Sequence, residues 1–325
     1  MRNIFAFVIM GVLAVSVVEN GFAGGSPERK TGTSGGSVVV QHRMGSVRVP
    51  YNPQNLALLD FASLDILDGL GLGGRVTGVG KASTVSYLNS YTGNNALANL
   101  GSVKEVDMEA LYATRPDVIF IGGRLSSEYD NLSKIAPVFV VTIDNSIEIG
   151  YMQSFKEITR TVSSIFGLEE RAEELFGGFD SRIVSLNRAA AGKTALAVMV
   201  TSGSVNTLAS DRCALIFNEV GFANLASDAT SSTHGDSASF ELLLEKNPDF
   251  IFVIDRDAVV GRNGSATARS VTARSVIEND LVKQTSAYQN GHIVYLTPDV
   301  WYLAGGGITA TDIMLKDLES GILGQ

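Results

Sequence analysis

Three arginines stand where an α/β chain usually meets its ligand. Arg124 follows the apolar run 118–121 through Gly122-Gly123, and Arg256 follows the run 250–254 through Asp255. Arg212 ends Ala209-Ser210-Asp211-Arg212, in the loop beyond the apolar stretch 195–200. In open α/β sheets ligands sit outside the carboxyl ends of the strands. One arginine there is more often a surface ion-pair partner. Three at matching positions predict an anion pocket, because guanidinium groups form strong charge-assisted hydrogen bonds. The chain has a net charge of −9, so an anion must be met by such a local cluster, and nucleic acid is excluded as a natural partner. Other candidates are weaker one by one. His234, in Thr233-His234-Gly235-Asp236, reads as a solvated loop histidine. Trp301-Tyr302, ahead of Gly305-Gly306-Gly307, reads as core packing.

These residues need a scaffold, and two self-similar segments describe it. Residues 107–121 (DMEALYATRPDVIFI) and 238–254 (ASFELLLEKNPDFIFVI) each run from a short helix opening on an acid, Glu109 or Glu241, through a Pro-Asp turn into a continuous apolar run. Such runs are typical of parallel strands covered on both faces. A repeat about 130 residues apart predicts two related lobes, since a solenoid has a much shorter period. The expected fold class is α/β: two α/β lobes with a ligand cleft between them, joined by a long rigid α-helix. The N-terminal lobe is expected over 37–165, the connecting helix over 166–191 and the C-terminal lobe over 192–325. A helix of about 24 residues spans about 36 Å, enough to bridge two lobes. Gly177-Gly178 interrupt it, and two ordinary helices within one lobe are the alternative. Earlier in the chain, the valines of 37–49 predict a β-hairpin and 76–79 a short strand. Leu56, Leu59, Leu64 and Leu67 lie at helical spacing and predict a helix over 56–70. The glycines of 69–74 follow a helix and precede a strand, the reverse of a phosphate cradle, so they close a helix.

Of the 325 residues 45% are apolar and 18% charged, which supports a sizeable core and argues against disorder. Residues 1–23 have the pattern of a cleaved signal peptide: Arg2, an apolar stretch shorter than the ~20 residues of a spanning helix, and Gly21-Phe22-Ala23 as a small-x-small site. No cysteine stands there to carry a lipid anchor, so the mature chain is expected free of the membrane. Residues 24–36 (GGSPERKTGTSGG) read as a flexible linker. The single cysteine, Cys213, offers no internal disulfide.

Taken together, His234-Gly235, residues 245–256 (EKNPDFIFVIDR) and 301–307 (WYLAGGG) resemble the periplasmic catecholate siderophore-binding proteins, of the enterobactin and petrobactin type. These are helical-backbone, class III solute-binding proteins of iron ABC importers. The resemblance runs from about Val38 to the C-terminus and is most specific in the C-terminal motifs. It implies that Arg124, Arg212 and Arg256 face catecholate oxygens in a pocket that includes Trp301. It implies that His234 and Tyr302 complete the coordination sphere of iron when a bis-catecholate supplies only four donors. Glu109 and Glu241, otherwise favourable first-turn acids, match the acids that dock on the permease subunits. The expected protein is then a periplasmic monomer of a Gram-negative bacterium, with no intrinsic cofactor, no enzymatic activity and a ferric siderophore as ligand. Val300 departs from the family, whose members often carry tyrosine there. Haem, cobalamin or another metal chelate in the same architecture is the alternative. A bare zinc site is disfavoured by the three histidines, His42, His234 and His292, which are far apart in sequence. A secreted hydrolase is a further alternative, although Gly235-Asp236-Ser237 lacks the strand-to-helix elbow of a nucleophile motif.

Overall fold

The computed structural model of the protein describes residues 36–83, 85–146, 148–226, 234–260 and 272–324. The expected signal peptide 1–23 and, apart from Gly36, the linker 24–36 lie outside them. Strands β1 (Ser37–His42) and β2 (Gly45–Pro50) form the antiparallel hairpin expected from their valines. The first large sheet is parallel, of order β5-β4-β3-β6-β7, with β3 at Leu56–Leu59, β4 at Val76–Val79, β5 at Ala98–Asn99, β6 at Val118–Gly122 and β7 at Val138–Val141. Between these strands run α1 (Phe61–Gly69), α2 (Asn89–Thr92), α3 (Met108–Thr114) and α4 (Tyr129–Leu132).

Residues 56–70 are a strand and then a helix, not the single helix expected. Leu56–Leu59 is a central strand, and the helix begins only after Asp60, whose carboxylate accepts from the Ser63 amide at 2.8 Å. A four-residue apolar run followed by a helix imitates helical spacing; the N-cap aspartate is what separates them.

The chain leaves the first sheet through α5 (Tyr151–Phe166), α6 (Glu169–Phe176) and α7 (Phe179–Ala190). The single helix expected over 166–191 is thus two. At Gly177-Gly178 the ladder tightens, with the Gly177 amide bonded to the Glu174 carbonyl at 3.3 Å. Two successive glycines, each poor in a helix interior, make the break.

The second sheet has the order β11-β9-β8-β12-β13, with β10 alongside β8. Its strands are β8 (Thr194–Thr201), β9 (Ser204–Thr207), β10 (Ala223–Asn224), β11 (Asp236–Ala238), β12 (Phe250–Asp255) and β13 (Ile293–Tyr295). Its helices are α8 (Phe240–Lys246), α9 (Arg256–Val260), α10 (Ala273–Ile277), α11 (Ser286–Gln289), α12 (Pro298–Tyr302) and α13 (Ile308–Leu323). Helix α13 lies on α7, where Arg182 pairs with Asp312 and Glu319, both at 2.6 Å. No helix among the described residues is long and apolar enough to cross a membrane.

The repeat is real in three dimensions. α3 and α8 are both seven residues long, capped by Asp107 and Ser239, and both end on a left-handed residue before proline, Arg115 and Asn247. The Pro-Asp carboxylates then do the same work. Asp117 accepts from the Gln54 and Asn55 amides ahead of β3, and Asp249 accepts from the Thr194 amide at the start of β8. Each repeat therefore pins the start of the strand beside its own, and that strand, like β6 and β12, is buried on both faces.

Candidate functional site

Arg124 and Arg256 stand at the carboxyl ends of parallel strands as expected, whereas Arg212 follows a strand that runs back antiparallel to β8. Arg124 lies in the turn directly after β6, Arg256 opens α9 directly after β12, and Arg212 lies in a short turn after β9. Two adjoining cavities, of about 280 and about 230 Å³, share Arg124, Tyr302 and Leu303. The larger also takes in Arg212 and Trp301, and the smaller Arg256 and His234. All six pocket residues singled out in the sequence thus line one cleft between the two lobes. Among the described residues, none of the three arginines makes an ion pair, in contrast to the paired Arg160, Arg171, Arg182 and Arg274.

Tyr302 is the centre of this arrangement. Arg256 Nε donates to its hydroxyl oxygen at 3.0 Å, with the guanidinium 5.6 Å from the ring centroid. Arg212 donates to the carbonyls of Trp301 and Tyr302 at 3.3 and 3.5 Å, where the C-terminal end of α12 presents its partial negative charge. The ring of His234 lies roughly parallel to that of Tyr302, 6.4 Å between centroids and 28° between planes. The His234 carbonyl accepts from the Asn206 side chain at 2.9 Å, which ties the residue to β9.

Trp301 behaves differently from its neighbour. It is 5% exposed, and its indole N–H donates to Asp317 at 2.8 Å. Burial pushes the Asp317 carboxyl above its ordinary value, and the bonds from Thr297 and Trp301 act against that. Trp301 is therefore a fixed wall of the cleft. Val300 is fully buried in the same wall and lines the larger cavity. Cys213 lines the larger cavity too, but burial pushes its thiol up to about 12, which makes it inert packing.

Some residues of the cleft carry no signal in the sequence. Lys104 lines the smaller cavity, on a turn held by Ser102, whose hydroxyl accepts from the Lys104 and Glu105 amides at 3.0 and 2.9 Å. Asn145 lines the larger one, and its side-chain oxygen is buried with no hydrogen-bond partner among the described residues. A lone lysine and a lone asparagine in loops acquire meaning only through where β5 and β7 end. Near Arg124, Asp60 is half-buried; desolvation pushes its carboxyl up, and the Ser63 bonds and the Arg124 charge oppose this.

Glu109 and Glu241 are not in the cleft. Each is exposed in the first turn of its helix, α3 or α8. Among the described residues no three His, Cys, Asp or Glu side chains converge to hold a metal ion. His234 and Tyr302 together offer two donors, so a metal held here would bring most of its ligands with it.

A family model described as periplasmic binding protein matches residues 56–300. The chain is 32% identical over 323 residues to the petrobactin-binding protein YclQ of Bacillus subtilis, with 98% of each chain covered. It is 27% identical over 288 residues to the ferric-anguibactin-binding protein FatB of Vibrio anguillarum, with 87% of each covered. The crystal structure of YclQ superposes with a TM-score of 0.80 at 34% identity, covering 88% of this chain and 99% of that one. That of the periplasmic catecholate-siderophore binding protein VctP of Vibrio cholerae does so with a TM-score of 0.79 at 33% identity, covering 88% and 100%.

Proposed function

Because the chain belongs to the periplasmic binding protein family, we propose that it captures a ferric catecholate siderophore and delivers it to an ABC importer for iron uptake. The observation that carries this reading is the set of three arginines, without ion pairs among the described residues, contributed by both lobes around Tyr302. A ferric bis-catecholate has one net negative charge and a tris-catecholate three, whereas a hydroxamate complex is neutral and needs no such set. Charge-assisted hydrogen bonds contribute about 1.5–3 kcal/mol each. Three of them supply a large part of the roughly 8–12 kcal/mol that micromolar to nanomolar capture requires. The names of the relatives, petrobactin-binding and catecholate-siderophore binding, point to the same class.

In this reading a tetradentate bis-catecholate leaves two positions on iron(III) open. Tyr302 supplies a phenolate oxygen, apt for a hard ion, and His234 an imidazole nitrogen. Arg124, Arg212 and Arg256 hold the catecholate oxygens, and Lys104 adds a fourth cation. The protein changes no covalent bond and needs no resident cofactor. Glu109 and Glu241, at equivalent places on the two lobes, dock on the two permease subunits. The chain works as an exported monomer, in the periplasm of a Gram-negative cell.

The test is a titration of the purified mature protein with a ferric bis-catecholate, following the fluorescence of the lone Trp301 and the visible charge-transfer band. Saturable one-to-one quenching supports the proposal. No binding of any ferric catecholate, with binding of haem or cobalamin instead, overturns it.

A further inference from the structure

Two long helices lack a side-chain cap of their own and receive one from the opposite lobe. Helix α13 starts after Gly307 with no side-chain cap. Its Thr309 and Ala310 amides donate to the two carboxylate oxygens of Asp65, on α1 of the first lobe, at 3.0 and 2.8 Å. Helix α5 starts after Gly150, again uncapped, and its Met152 amide donates to Glu219 of the second lobe at 3.0 Å. Gly150 has φ +81°, and a Cβ there would stand 2.8 Å from the Glu219 carboxylate, so only glycine admits this approach.

A third carboxylate joins them. Asp299, the second residue of α12, accepts from the amide and hydroxyl of Ser86 in the first lobe at 2.8 and 2.5 Å. The Tyr87 hydroxyl donates to the Ala304 carbonyl at 3.1 Å, and the Gly306 amide donates to the Tyr151 hydroxyl at 3.2 Å. Residues 299–311, which carry Trp301 and Tyr302, are therefore fastened to the first lobe and to α5 along their length. From the other side Arg212 and Arg256 of the second lobe grip Tyr302 itself.

We infer that Asp65 and Asp299 are positioning residues that set the width of the cleft and thereby its choice among chelates by size. Widening the gap between Arg124 and the Arg212–Arg256 pair has to strip donors from carboxylates that are 0% and 2% exposed, a costly state for a buried charge. The ligand then meets a cleft of preset width, and a chelate that does not fit clashes with its walls, although neither Asp65 nor Asp299 touches it.

The inference about selectivity rests on the ligand class proposed above, while its mechanical core does not. Spin labels at Asn131→Cys on α4 and Gln289→Cys on α11, both exposed positions on opposite lobes, report the lobe separation with no ligand present; the native Cys213 is buried. A narrow distance distribution is expected, and Asp299→Ala or Asp65→Ala broadens it and shifts it to longer distance. The preference between a ferric bis-catecholate and a bulkier ferric tris-catecholate is expected to fall about fivefold in the same variants. An unchanged distance distribution in folded Asp299→Ala overturns the inference. If that variant does not fold, Ser86→Ala removes the partner hydroxyl alone; broadening there supports the inference and an unchanged distribution overturns it. Failure to bind either chelate with the distances behaving as expected overturns the ligand class and leaves the latch standing.

Discussion

The Nε of Arg256 donates to the hydroxyl oxygen of Tyr302 at 3.0 Å, and the residue that makes this bond makes no ion pair among the described residues. A phenolic oxygen that accepts from a cation keeps a further lone pair for a metal. Tyr302 is thus held in one orientation by Arg256, with the His234 ring beside it.

Tyr302→Phe removes that oxygen and keeps the ring. Affinity for a tetradentate ferric bis-catecholate is expected to fall about tenfold, while that for a hexadentate tris-catecholate changes by less than about threefold. The visible band shift on binding disappears. Fluorescence titration and absorption spectra of both complexes check this, and equal losses for the two chelates remove the coordination role.

Arg212 and Arg256 act differently although both are proposed to meet the anion. Arg212→Ala also frees the Trp301 and Tyr302 carbonyls at the end of α12, so it is expected to weaken every ferric catecholate whatever its denticity. Arg256→Ala releases only the Tyr302 hydroxyl and is expected to cost more with the tetradentate chelate. Each loss is expected at about 1.5–3 kcal/mol, ten- to a hundredfold in affinity. Isothermal titration of both variants with both chelates measures it. Unchanged affinity in both variants removes the anion pocket.

The lobes and the arginines were legible because burial leaves a plain trace. A parallel strand covered on both faces has no polar alternation, so β6 and β12 stand out as apolar runs, and whatever follows them lies at the sheet's ligand-binding edge. Leu56–Leu59 misleads for the same reason: four buried residues show no period of their own, and the leucines of α1 lend them a helical one. The missing cue was Asp60, an N-cap after the run. What unites the cleft was not legible. The bond between Asp65 and the Thr309 amide joins residues 244 apart in the chain, and the placement of Lys104 and Asn145 depends on where neighbouring strands stop. No local pattern encodes such contacts.

Glu109 and Glu241 lie on the outer ends of the repeated helices, away from both cavities. Charge reversal of each, Glu109→Lys and Glu241→Lys, is expected to leave chelate affinity within about twofold, since an exposed charge at that range is screened. Uptake of radiolabelled iron, or stimulation of the importer's ATPase, is expected to fall about tenfold or more, because like charges would then face the permease. Transport at the original rate in the double variant removes these acids from the docking surface.

Asp249 gives a stability prediction free of any ligand. Its carboxylate is held below the ordinary value of 3.8, first by the Thr194 amide and then by the Thr194 hydroxyl, with the Lys193 and His292 charges adding to this and burial opposing it. A carboxylate with a lowered folded value contributes stability that is present above the unfolded value and lost as the pH falls through the folded one. Asp249→Asn keeps the shape but not the charge. Its melting temperature is expected about 2–4 °C below that of the parent at pH 7, from a loss of about 1 kcal/mol. The gap is expected to hold above the ordinary value of 3.8 and to close as the pH falls below it, through the lowered folded value. Thermal melts followed by circular dichroism across that range check it. A gap that persists in acid means that Asp249 anchors β8 through shape alone and that its charge contributes nothing to the strand's attachment.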